Sequence, residues 1–215
     1  YREAEPQEDA AYLKLYDGHD WKWFRVKLLH TDMEYLRKNW VGEKASAPTL
    51  EKRYHKYFLR FSYTEEVSLT KTDIKEQTIC SVDLGINTDA VCTIIQADGT
   101  VLGRKFIDFP SDKDRLHHAL GRIRRFQRQH GSGQTQSRWA YAKRLNMELA
   151  RKTAAAITAY AAENHADVIV FEYLEMQGKI SGNKKQRLHL WRKRDIQKQC
   201  EHQAHRQGIR VSRIS

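Results

Sequence analysis

The sequence predicts an α/β fold: a mixed sheet with helices, preceded by part of a smaller β-rich domain. Three observations carry this. Three short apolar runs joined by tight polar turns occupy residues 79–109, two long stretches of helical periodicity follow, and a continuously apolar run, a further helix and a last strand-like run close the chain. At 215 residues there is room for one large domain or two small ones, each with a core.

Residues 21–29 and 54–63 read as two strands, rich in Trp, Tyr, Phe, Val and Leu with Lys and Arg alternating between them. Lys44-Ala45-Ser46-Ala47-Pro48 interrupts them, and the two are expected to pair within a β-rich domain spanning residues 1–76. Residues 67–76 read as a polar connection out of it. A second domain is expected over residues 77–215. Its first strand, 79–84, is closed by Gly85 and the turn Asn87-Thr88-Asp89. Residues 90–95 form the second, Ala97-Asp98-Gly99 a hairpin turn, and 101–109 the third, so the three make an antiparallel meander. Pro110 and Ser111 open a helix to about His130, and after Gly131-Ser132-Gly133 a longer one starts near Ser137. Val168-Ile169-Val170-Phe171 is apolar throughout, as a strand buried on both faces should be. A basic helix at residues 188–207 and a strand at 209–214 complete the order β-β-β-α-α-β-α-β. This is the RNase H-like layout, with a right-handed crossover placing the fourth strand beside the first.

No apolar run approaches the roughly 18 residues of a membrane span, and the acidic N-terminus lacks the layout of a signal peptide. Cys80, Cys92 and Cys200 form no C-x-x-C and are odd in number, which favours reduced thiols and a cytoplasmic location. The sequence has no initiator Met and stops at Ser215 inside a strand-like run, so it reads as an excised segment. The net charge of +11 is concentrated. Residues 113–152 carry eleven Lys/Arg against two acidic residues, and residues 179–213 carry eleven against two, each block netting +9. Two Arg-rich blocks point to a polyanion, with nucleic acid ahead of a solvated basic face or an anionic membrane.

Asp83 lies within an apolar strand, and Glu172 follows the apolar run that the layout places beside it. A buried carboxylate is costly unless paired or metal-bound. Two of them at adjacent strand ends suit Mg²⁺ or Mn²⁺, and two such ions serve phosphodiester cleavage. Either residue alone is better explained as a strand end. The pair together favours a site. Glu175 is the alternative to Glu172, and Asp89 belongs to its turn.

Val82-Asp83-Leu84-Gly85-Ile86-Asn87 resembles the first RuvC motif of the transposon-encoded TnpB (OrfB) proteins and of the type V CRISPR effector nucleases. Val168-Ile169-Val170-Phe171-Glu172-Tyr173-Leu174 resembles their second motif, with Tyr173 where Asp or Asn is usual. Residues 21–63 look like the last part of the β-rich wedge domain, an oligonucleotide-binding-like module. The resemblance implies RNA-guided, metal-dependent DNA cleavage in a prokaryotic, nucleoid-associated setting, with guide RNA and target DNA as partners. It implies Asp83 and Glu172 as catalytic metal ligands holding two Mg²⁺ or Mn²⁺ ions in the intact site. It places the third carboxylate and a zinc ribbon beyond Ser215, so this segment alone is expected to be inactive.

Candidate phosphate contacts are Arg115, Arg122, Arg124, Arg125 and Arg128 on the first long helix and Arg138, Lys143 and Arg144 on the second. Lys184, Lys185, Arg192, Lys193 and Arg194 belong to the last helix region. The planar guanidinium binds two phosphate oxygens at once. Phe126 and Trp191 are candidates for stacking on bases, though their helical spacing suits a core better. Cys200 and His202 point about 200° apart on a helix and are a poor zinc pair. Two other readings remain: a relative that holds guide RNA and DNA without cutting, and an actin-like sugar kinase. The kinase would need Gly-rich nucleotide loops, which are absent from the sequence.

Overall fold

The computed structural model describes residues 1–5, 8–40, 43–44, 46–53, 55–131, 133–173 and 191–214. The chain forms two compact units, Tyr1–Glu66 and Val67–Ser215.

In the first unit β1 (Arg2–Glu3), β2 (Ala10–Tyr16) and β3 (Trp21–Lys27) make an antiparallel sheet. The β2–β3 hairpin turns through Asp17-Gly18-His19-Asp20. The Asp17 carboxylate accepts from the backbone N–H groups of His19 (2.9 Å) and Asp20 (2.8 Å), and Gly18 sits at φ 102°, where a side chain would be strained. Helix α1 (His30–Asn39) follows, then β4 (Glu43–Lys44), β5 (Thr49–Arg53), β6 (Lys56–Arg60) and β7 (Tyr63–Thr64), with β5 on β6 and β4 on β7. The two strands read from the sequence therefore do not pair with each other. Each takes its sequence neighbour instead, β3 with β2 and β6 with β5, because a short loop costs less closure entropy than a long one. Helix α1 buries none of its residues, so it has no apolar stripe for a sequence to reveal.

The boundary also moves. Residues 67–76, read as a connector of the first domain, belong to the second unit. The Thr70 N–H and hydroxyl both donate to the Gly208 carbonyl at 2.8 Å, and the Thr72 hydroxyl donates to Asp167. A polar composition suggests a linker, yet here the polar groups tie the segment down.

The second unit contains β8 (Thr78–Leu84), β9 (Ala90–Gln96), β10 (Val101–Ile107), α2 (Pro110–His130), α3 (Gln136–Glu163), β11 (Val168–Glu172), α4 (Lys193–His205) and β12 (Arg210–Ile214). The five strands lie in the order β10-β9-β8-β11-β12. Strands β8, β9 and β10 pair antiparallel, while β11 runs parallel to both β8 and β12. This is the RNase H-like layout, with the fourth strand beside the first. Residues 188–190 of the expected last helix lie outside the described residues, and Trp191 and Arg192 precede α4.

Period-two alternation sends Cys80, Val82 and Leu84 of β8, Cys92 and Ile94 of β9, and Ile169 and Phe171 of β11 to one face. Ala150, Ala154, Ile157 and Ala161 of α3 and Ile196, Cys200 and Ala204 of α4 join them in one core. The alanines let α3 approach closely. Helix α2 packs on α3 through a separate seam of Leu116, Ala119, Leu120, Ile123 and Ala142. All three cysteines are free and buried, and burial pushes the Cys200 thiol up to about 12, so they serve as small apolar residues. Among the described residues no helix is long and apolar enough to cross a membrane.

Candidate metal centre and nucleic-acid interface

The β8–β11 ladder pairs Val168 with Ile79, Ile169 with Cys80, Val170 with Ser81 and Phe171 with Val82. Asp83 and Glu172 are the next residue on each strand. In-register residues of neighbouring parallel strands point the same way, with backbones ~4.8 Å apart. Val82 and Phe171 enter the core, so one residue later Asp83 and Glu172 emerge together on the opposite face, both exposed. Strand pairing and a side-chain hydrogen bond to the backbone hold the two positions. Asp83 pairs with Val91 of β9, and the Glu172 carbonyl accepts from Gln197 Nε2 at 3.4 Å. Neither carboxylate is ion-paired with a described residue.

Two hard oxygen donors side by side at strand C-terminal ends fit Mg²⁺, which is commonly held by one or two carboxylates together with water and substrate phosphate oxygens. Among the described residues no group of three or more His, Cys, Asp or Glu is placed to hold a metal ion. Glu175 lies outside the described residues. Cys200 is buried 3.4 Å from the Thr158 hydroxyl while His202 is exposed, so the two diverge on α4.

The turn that follows Asp83 is tightly built. The Gly85 N–H donates to the Asp89 carbonyl at 3.4 Å, and a Cβ on Gly85 would lie 2.6 Å from the Thr88 carbonyl oxygen. Asp89 is 7 % exposed, and its carboxylate accepts from the Phe109 N–H at 2.9 Å, at the start of α2. Burial pushes the Asp89 carboxyl up, against the opposing pull of that N–H and of Lys113. Lys113 Nζ lies 3.6 Å from Asp89 and donates to the Asn87 carbonyl and the Asp108 carboxylate. Asp89 therefore does more than the turn role that local sequence suggested, since it anchors the turn to a helix. No local motif marks Lys113 for this part.

The basic residues divide three ways. Arg122, Arg124, Arg125, Arg128, Arg138, Lys143 and Arg144 are exposed on the α2–α3 hairpin, and none is ion-paired with a described residue. Arg115 is exposed but lies 3.7 Å from Asp112, which also takes Lys152 at 2.7 Å. Of the described candidates in the last helix region, Arg194 is exposed. Arg192 is half-buried and paired with Asp195 at 2.6 Å, and Lys193 is 7 % exposed with its ammonium 5.6 Å from the Trp191 ring. Lys193 is thus a packing residue at the start of α4, contrary to the phosphate role read from its charge. Lys184 and Lys185 lie outside the described residues. Trp191 packs against the main core, as its spacing suggested, and Phe126 is half-buried.

No family model and no curated protein matches the sequence. Among solved structures the chain is similar to a Cas12f1–sgRNA–target DNA complex, at 20% identity and TM-score 0.48, over 68% of this chain and 37% of that one. It is also similar to a CRISPR–Cas12f ternary complex, at 15% identity and TM-score 0.48, over 96% of this chain and 41% of that one. The chain thus spans about two fifths of the length of these structures.

Proposed function

We propose that this chain is the RuvC-type part of an RNA-guided, divalent-metal-dependent DNA endonuclease, with Asp83 and Glu172 as metal-binding catalytic residues. The observation that carries the reading is the β8–β11 register, which brings the two carboxylates to neighbouring positions on one exposed face. The sequence motifs around both residues agree with it. Bound there, Mg²⁺ or Mn²⁺ would polarise a phosphodiester and acidify a water. The chain's own residues hold and orient: Asp83 and Glu172 supply the oxygens, the Gly85–Asp89 turn fixes Asp83, and the α2–α3 hairpin meets phosphates of guide RNA and target DNA. The first unit corresponds to the end of a wedge-type, oligonucleotide-binding-like domain. A second reading keeps the fold and the nucleic acid and drops the cutting.

A Mn²⁺ titration followed by electron paramagnetic resonance tests the centre. Saturable binding is expected for the chain and is expected to vanish in Asp83→Asn and Glu172→Gln. Equal binding in all three proteins would remove the metal site. With Mg²⁺, any cutting of single-stranded DNA is expected to fall to background in Asp83→Ala, because multi-residue sites lose nearly all activity when one member is removed. Cutting that survives in Asp83→Ala would take the catalytic role away from this residue. Binding to RNA, DNA and their hybrid should weaken steeply with salt, through release of counterions from several phosphates.

A further inference from the structure

We propose that the cleft on the α2–α3 hairpin is a stacking site for an unpaired nucleotide, a proposal that rests on reading the hairpin as a nucleic-acid face. The cleft has a volume of about 520 Å³ and is lined by Arg122 and Phe126 of α2 and Ser137, Arg138 and Tyr141 of α3. That volume falls within the roughly 300–1,000 Å³ typical of small-ligand sites. The aromatic residues in it are not consumed by the hairpin seam, which is made of Leu116, Ala119, Leu120, Ile123 and Ala142. Phe126 is half-buried beyond that seam, with the His130 ring 4.6 Å from its own, and Tyr141 is 42% exposed.

Charge determines what the aromatic surface receives. The Arg138 guanidinium lies 4.5 Å from the Phe126 ring centroid, and that of Arg144 lies 5.9 Å from the Tyr141 ring. Arg122 is exposed at the cleft and, like Arg138 and Arg144, makes no ion pair with a described residue. A guanidinium over a ring presents a flat cationic plane that stacks on a base while its edge meets a phosphate. An acidic peptide would satisfy the charge and leave the rings unused. A duplex would satisfy the charge too, but its bases hide their faces in the stack. An unpaired nucleotide satisfies both features, and any base serves because each has a π-face.

The test compares the chain's affinity for a twelve-nucleotide mixed-sequence DNA strand, an abasic strand with the same number of phosphates, and the blunt duplex of that sequence. The ordinary strand is expected to bind about 5- to 100-fold more tightly than the abasic one. Tyr141→Leu and Phe126→Leu should erase that preference while leaving the salt dependence unchanged, with thermal melting used to verify folding. Tyr141 is exposed, so its variant keeps the test valid if Phe126→Leu fails to fold. Equal, salt-dependent binding of the ordinary and abasic strands overturns the stacking site and leaves the nucleic-acid reading standing. A preference that survives in the folded variants overturns the stacking site likewise, and a poly-glutamate peptide that binds as tightly as the ordinary strand overturns both readings. Absence of binding to every strand overturns both.

Discussion

On one face of the five-stranded sheet Cys80, Cys92, Ile94, Ile169 and Phe171 are completely buried beneath α3 and α4. On the other face, built from the alternate residues of the same strands, Ser81, Thr93 and Val170 are half-exposed, and Asp83, Glu172 and Phe106 are exposed. A face sealed by two helices can carry only apolar groups, because an unpaired charge there would lose its hydration. The opposite face keeps its carboxylates in contact with solvent, where a metal ion and a phosphate can reach them. The two faces thus separate the core from the proposed metal centre by a single residue step along β8 and β11.

Substitutions sharpen this contrast, and the largest loss is expected on the sealed face. Phe171→Ala should cost about 3–5 kcal/mol in denaturant unfolding, from lost burial and a cavity between sheet and helices. A loss under about 1 kcal/mol would show that this face is not the core. Gly85→Ala acts at the join between the faces. Its Cβ would meet the Thr88 carbonyl at 2.6 Å, so the turn after Asp83 must shift, at about 1–3 kcal/mol and with weakened Mn²⁺ binding.

Asp89 gives a smaller, pH-dependent effect. Burial raises its folded-state pKa above the ordinary 3.8. Its stabilising contribution is therefore full below that value and is lost as pH rises through the folded pKa. Asp89→Asn keeps an acceptor for the Phe109 N–H without the buried charge. Urea unfolding from pH 3 to 7 should show the variant gaining on the wild type as pH rises, and the opposite trend would mean that Lys113 outweighs burial. The smallest effect on stability is expected at Asp83→Asn, within about 0.5 kcal/mol because the residue is exposed, although metal binding is lost. Large destabilisation there would make Asp83 structural and collapse the contrast between the faces.

The second unit was the more legible in sequence. Its strands alternate or run apolar over five to seven residues, and its helices open at Pro110 and near Ser137 with long apolar periodicity. In the first unit Ala10, Ala11 and Leu13 are the buried apolar residues among those described, so pattern there reports little about packing. Local pattern therefore does not mark β2 or α1, nor does it show that β3 and β6 take different partners. Charge was a similarly incomplete guide. The Arg residues of the hairpin are exposed as their composition suggests, whereas Lys193 is buried because it starts a helix beside Trp191.

The sequence by itself determined the order of elements in the second unit and singled out Asp83 and Glu172, because hydrophobic period and turn residues are local properties. Only the tertiary structure decided that the two carboxylates share a face. That depends on the β8–β11 register, and a slip of one residue would have sent one of them into the core. Tertiary contacts also decided that residues 67–76 belong to the second unit and that Lys113 braces the turn after Asp83. Such contacts join residues far apart in the chain, and local composition carries no record of them.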